Sequence, residues 1–174
     1  MNGRTVLASL ACGALFLAAA CQDTPVTVDD DLAPVFAKVH LKGGKKAAPD
    51  YTDLGIQLNA TGNLAGLGNG DILVSLDAEA DVVAVCQNQG GNQAPGQNPA
   101  PITVSGSQSI PAEEIKNGNV SFDVTTLAPL TPIPGAPDCP NPNWDEIIVD
   151  LIFTSATITV EQPPGTVVLT ILWP

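Results

Sequence analysis

The chain has 174 residues, 44% of them hydrophobic and only 14% charged, with a formal net charge of −12 at neutral pH. That hydrophobic share excludes general disorder, and the acidity disfavours nucleic acid or an anionic membrane surface as a partner of the whole domain. The 16 glycines and 16 prolines favour short strands joined by turns.

Met1–Ala20 carries one basic residue, Arg4, and then the apolar run Val6–Ala20. A short positive region, an apolar core of about 15 residues and small residues before a polar break form the layout of a secretory signal. The core is too short for a stable membrane span. It ends in Leu17-Ala18-Ala19-Ala20-Cys21, which resembles the lipobox of bacterial lipoproteins. The resemblance implies a diacylglycerol on the Cys21 thiol, cleavage before that residue and acylation, typically by palmitate, of the new amino group. With Gln22 next, it also implies the outer membrane, where two or three acyl chains hold a protein firmly. Ordinary cleavage after Ala20 is the alternative, and cysteine parity separates the two. It would leave Cys21, Cys86 and Cys139, an odd number in an oxidising compartment, whereas lipidation of Cys21 leaves Cys86 and Cys139 as a pair for a disulfide.

Gln22–Pro34 contains two prolines, the run Asp29-Asp30-Asp31 and no periodic apolar face, and reads as a solvated tether. The aspartate run lacks the turned ligand loop that calcium needs. The chain therefore divides into a signal peptide (1–20), a lipidated cysteine with an acidic tether (21–34) and a β domain (35–174). Val35–Leu41 is apolar enough for a first strand. Around it, Lys38, Lys42, Lys45 and Lys46 with His40 form a basic patch, which reads as an exposed loop guarding a strand edge.

Leu54–Leu64 alternates, with Leu54, Ile56, Leu58, Ala60 and Leu64 on one face. Asp71–Cys86 alternates more strictly: Ile72, Val74, Leu76, Ala78, Ala80, Val82, Ala84 and Cys86 are apolar, and Asp71, Ser75, Asp77, Glu79 and Asp81 occupy the other phase. A period of two marks strands with one buried face. Asn69-Gly70 between them is a hairpin signal, so these two segments are expected to pair antiparallel. The second would extend roughly 50 Å, which predicts a bend or bulge near Ala78–Asp81. Gln87–Pro101 reads as a polar loop. Ile102–Ile110 buries Ile102, Val104 and Ile110, Pro111–Ile115 closes one helical turn, and Lys116-Asn117-Gly118-Asn119 turns into a strand that buries Val120, Phe122 and Val124. Ala128–Asn143 is a proline-rich connection. Ile147–Val160 alternates through Ile147, Val149, Leu151 and Phe153, then changes phase to Ala156, Ile158 and Val160, the mark of a bulge. Pro163–Thr166 turns the chain into Val167–Trp173. About seven strands with turns between them predict an all-β, antiparallel, immunoglobulin-like β-sandwich with one disulfide; a barrel is the alternative.

No residue set for catalysis stands out. His40 is the only histidine, and there is no Gly-x-Ser-x-Gly elbow, zinc ligand set or phosphate-cradling loop. Asp77, Glu79 and Asp81 share one strand face and are the candidate metal ligands, though a wet acidic face explains them as well. A Cys86–Cys139 bridge would join the Gln/Asn/Gly loop to the proline-rich loop at one end of the sandwich, with Trp144 beside it. Asn143, Trp144 and Asp145 are therefore the candidate ligand-binding residues. Tyr51 and Trp173 are the other aromatic platforms a glycan site could use. The segments Gly91–Pro99 and Cys139–Trp144 resemble uncharacterised secreted bacterial β-proteins, which implies export. The sequence thus predicts a non-catalytic binding module, without cofactor, on the membrane through its lipid anchor and facing an envelope glycan or protein. A structural or adhesive surface protein is the alternative, and an envelope hydrolase using acidic residues a third.

Overall fold

The structure, a computed structural model, describes residues 38–44, 46–95, 99–133 and 139–173. The signal peptide, Cys21 and the tether lie outside these residues. Among these residues nine strands form two antiparallel sheets packed as a β-sandwich, and no helix is long and apolar enough to cross a membrane. In the first sheet, β3 (Leu58–Ala65) is flanked on one edge by β7 (Asn119–Thr125) and on the other by β1 (His40–Leu41) and β2 (Asp50–Asp53). In the second, β4 (Ile72–Asn88) pairs along one edge with β6 (Ile102–Ile110) and β5 (Gln93–Pro95). Along its other edge it pairs with β8 (Trp144–Glu161), which carries β9 (Val167–Trp173).

Six of the seven expected strands are present; of the first, Val35–Leu41, only His40–Leu41 is a strand and residues 35–37 lie outside the described residues, while the two unexpected strands, β2 and β5, are short. Leu54–Gln57 does not continue a strand. Gly55 takes a positive φ of 86°, its N–H donates to Asp53 Oδ1 at 2.8 Å, and the turn folds β2 back on β3, which leaves Leu54 exposed. β5 is held by the backbone of β4, without any apolar alternation of its own. Asn117 and Gly118 both take positive φ in a tight turn closed by reciprocal Lys116–Asn119 backbone bonds.

The strict alternation of β4 has its expected consequence: Ile72, Val74, Leu76, Ala78 and Ala80 are fully buried against Leu58, Ala60, Leu64, Phe122 and Val124 in one core. β3 and β4, however, do not pair. They belong to opposite sheets, and Gly66–Asp71 is an arch between them. The arch is fixed from inside. Leu67 is buried, and the buried Gln162 side chain accepts from Gly68 N–H at 2.7 Å and donates to the carbonyls of Gly68 and Gly70 at 3.1 and 2.6 Å. Gln162→Leu strands those three groups in an apolar site and is expected to cost about 3 kcal/mol, read as a lower urea midpoint with an unchanged slope.

The irregularity expected near Ala78–Asp81 lies there, but on the partner strand. β8 shifts register opposite Glu79/Ala80, which is the phase change after Phe153, and again opposite Val83/Ala84. The second shift inserts Val149, so Ile148 rather than Ile147 or Val149 turns inward, and both of the latter are exposed. β4 itself stays in one sheet throughout.

Candidate functional site

Beyond Ala80, β4 and β8 continue as a ribbon past the end of β6. Its tip is a tight loop organised by Asn88, whose Oδ1 accepts from the N–H groups of Gly90 and Asn92, both at 3.0 Å. Cys86 is bonded to Cys139, as expected, and the bridge joins the ribbon to the connection that precedes β8. Cys86 is buried yet stands outside the contiguous hydrophobic core. Cys139, Asn141, Pro142 and Trp144 line a concavity of about 360 Å3 at this end.

Of the three residues singled out as ligand-binding, the structure brings only Trp144 to that concavity. Asn143 is exposed, and its N–H is used in a turn with Asn141 Oδ1. Asp145 is exposed on the opposite face of the strand, because consecutive residues of a strand point apart. Glu146 turns inward opposite Cys86, with Oε1 buried and unpartnered among the described residues.

The acidic row lies as expected on the outer face of β4. Asp77 accepts from Ser105 Oγ at 2.5 Å, and Glu79 accepts from Ser155 Oγ at 3.3 Å. Asp77, Glu79 and Asp81 are not drawn together: among the described residues no group of three or more His, Cys, Asp or Glu side chains is placed to hold a metal ion. Of the expected basic patch, Lys45 lies outside the described residues and Lys42 is joined by a lysine from elsewhere. Lys116, far away in sequence, lines a polar concavity of about 450 Å3 with Lys42, Asn63 and Glu114 at the far end of β3.

A third concavity has no counterpart in the sequence reading. On the open side of the sandwich, β9 ends at Trp173 opposite Ala156, and the first half of β8 runs on without it. Here Tyr51 of β2 stacks on Trp173, with ring centroids 5.0 Å apart and planes at 20°, so the pair joins one sheet to the other. Next to the stack, the Gly55 carbonyl accepts from Leu151 N–H at 3.0 Å, which ties the β2–β3 turn to β8. Between these two tie points lies a groove of about 240 Å3, with Leu58, Leu151 and Phe153 as its apolar lining and the carboxylates of Asp53 and Asp150 beside them. The Tyr51 hydroxyl is buried and has no hydrogen-bond partner among the described residues. Its burial raises the phenol pKa above the usual value of 10.0, so the hydroxyl stays protonated at neutral pH. Folding stability from this group is complete below pH 10 and is lost as pH rises through the raised value.

No family model matches this sequence, and comparisons with curated proteins and with solved structures return no match.

Proposed function

We propose that the protein is a lipid-anchored, non-catalytic binding module of the bacterial cell envelope, and that it binds an envelope glycan through the loop end around Trp144. The observation that carries this reading is the position of the disulfide. The bridge lies outside the core and fixes the loops that frame the Trp144 concavity. Rigid loops on a sheet scaffold hold a binding surface at low entropic cost, and an indole beside asparagine and proline offers a face for a sugar ring with polar groups at its edge.

The test is co-sedimentation of residues 22–174 with envelope fractions and insoluble polysaccharides. Retention by a glycan fraction is expected, with Trp144→Ala lowering it at least tenfold and EDTA without effect, since the acidic row of β4 is not gathered. Retention unchanged by Trp144→Ala removes the loop end from the reading.

A second reading, assembly through a sheet edge, is favoured by β9. Its sequence, VVLTILW, carries no charge, it is the last strand of its sheet, and Val167 and Leu172 are exposed. Such an edge lacks the usual guards against pairing with another strand. Association that rises with protein concentration and disappears in Thr170→Lys would support this reading; a monomer at all concentrations removes it.

A further inference from the structure

We propose that the groove between β2, β8 and β9 is a binding site for an organic cation, an alkylammonium or guanidinium group on a short apolar stem, held by Asp53 and Asp150 against the Tyr51–Trp173 pair. The site is separate from the loop end and does not depend on what Trp144 binds.

Three observations combine. Two carboxylates stand at one small groove, and among the described residues none of its lining side chains is cationic. Two lysines of the described residues, Lys42 and Lys116, lie at a different concavity. Leu58 lines the groove, whereas Leu64, at the other end of the same strand, lines the concavity that holds Lys42 and Lys116. Six residues of strand separate the two by roughly 20 Å, well beyond a Debye length at physiological salt. Asp53 Oδ1 already accepts from the Gly55 N–H, and an ammonium or guanidinium would add charge-assisted hydrogen bonds at the carboxylate oxygens that remain.

The apolar lining and the stacked rings account for the stem. Leu58 and Leu151 form the buried floor, and the partly buried Phe153, Tyr51 and Trp173 present aromatic surface, which attracts a cation through the ring quadrupole as well as covering its methylenes. Size then limits the choice. At about 240 Å3 the groove is smaller than a pocket for a drug-sized ligand, so it fits one side-chain-sized group and not an oligosaccharide.

The probe is n-butylammonium chloride, titrated into the intact chain in a non-ionic detergent at low salt, with the two indole N–H resonances followed by NMR. The Trp173 resonance is expected to move saturably with a dissociation constant on the order of millimolar, while that of Trp144 stays in place. Asp150→Asn should weaken binding at least tenfold, added salt should weaken it further, and 1-butanol, the same stem without the charge, should not saturate. Asp53→Asn keeps an oxygen for the Gly55 N–H and so tests charge without removing the turn. Nα-acetyl-lysine methylamide and free butylammonium then separate a protein side chain from a small amine as the natural source. Equal binding of butanol, undiminished binding in both Asn variants, or no saturable shift of Trp173 overturns the proposal.

Discussion

Gly106→Ala is expected to destabilise the protein by more than about 3 kcal/mol, beyond the usual range for an overpacked interior. The closed side of the sandwich is where β6 of one sheet meets the end of β7 of the other. Leu127 N–H donates to the Ser105 carbonyl at 2.9 Å, and Thr126 follows β7 into the core, fully buried, with its Oγ1 accepting from Leu58 N–H at 3.0 Å. A Cβ on Gly106 would lie 2.0 Å from the Thr125 carbonyl oxygen and 2.8 Å from Thr126 Cα. These are backbone atoms, so no rotamer change relieves the clash; the sheets must part, and the Ser105–Leu127 bond goes with them. Gly62→Ala is the instructive comparison. Its Cβ would meet the Phe122 ring at 2.7 Å, and a ring can be shortened. Gly62→Ala/Phe122→Leu should recover much of the stability lost in Gly62→Ala alone, whereas Gly106→Ala/Thr125→Ala should recover none. Urea midpoints of the four variants decide it. A Gly106→Ala protein as stable as the parent would mean that the two sheets are not closed at this seam.

Gly106 also shows what the sequence concealed. Within Ile102–Ile110 it stands at a position of the inward phase, between Val104 and Ile110, and nothing local says that another strand's backbone passes above it. The strands were legible because burial on one face imposes a period of two, and each segment with that period holds a strand, although the start of Leu54–Leu64 is a turn. Which strands share a sheet was not legible. Asn69-Gly70 resembles a hairpin turn, but Gly70 does not take the positive φ such a turn requires, and the arch is decided by Leu67 and Gln162, the latter more than 90 residues away. The Asn117-Gly118 pair does take it, at φ values of 52° and 72°, so the same dipeptide is a good guide only where the flanking residues close the turn. In β8 the exposed Val149 is an inserted residue, and an insertion shifts the phase without changing the composition. The cation groove was out of reach for a simpler reason. Tyr51, Asp53, Asp150 and Trp173 come from opposite ends of the domain and meet only because β2 and β9 are the open edges of facing sheets.

Removing the bridge, in Cys86→Ala/Cys139→Ala, is expected to lower stability by about 4 kcal/mol, the chain-entropy value for a loop of this length. The two cysteines are 53 residues apart in sequence, and the bridged loop includes β6, β7 and about a quarter of the buried core, Val104, Ile110, Phe122, Val124 and Ile133. Where the loss appears matters more than its size. Cys86 lies outside the core cluster, on a ribbon whose β4 half carries only the three-residue β5 on its outer edge, so the ribbon can open before the body of the sandwich does. Hydrogen exchange should show the amides of residues 83–88 and 144–148 losing protection far more than those of residues 72–80. Uniform loss along β4 would instead make ribbon and sandwich one cooperative unit. The two proposed sites then respond differently. The Trp144 concavity is built on Cys139 itself, and glycan retention should fall in the bridge-less protein as far as it does in Trp144→Ala. The groove is held by Leu58 and the Tyr51–Trp173 stack on the body and by the Leu151–Gly55 bond at the base of the ribbon, where Leu151 is still buried in the core, so butylammonium should bind the same protein within about twofold of the parent affinity. Loss of both together would mean that the ribbon supports the groove, and Asp150, which sits where ribbon meets body, is the residue through which it would do so.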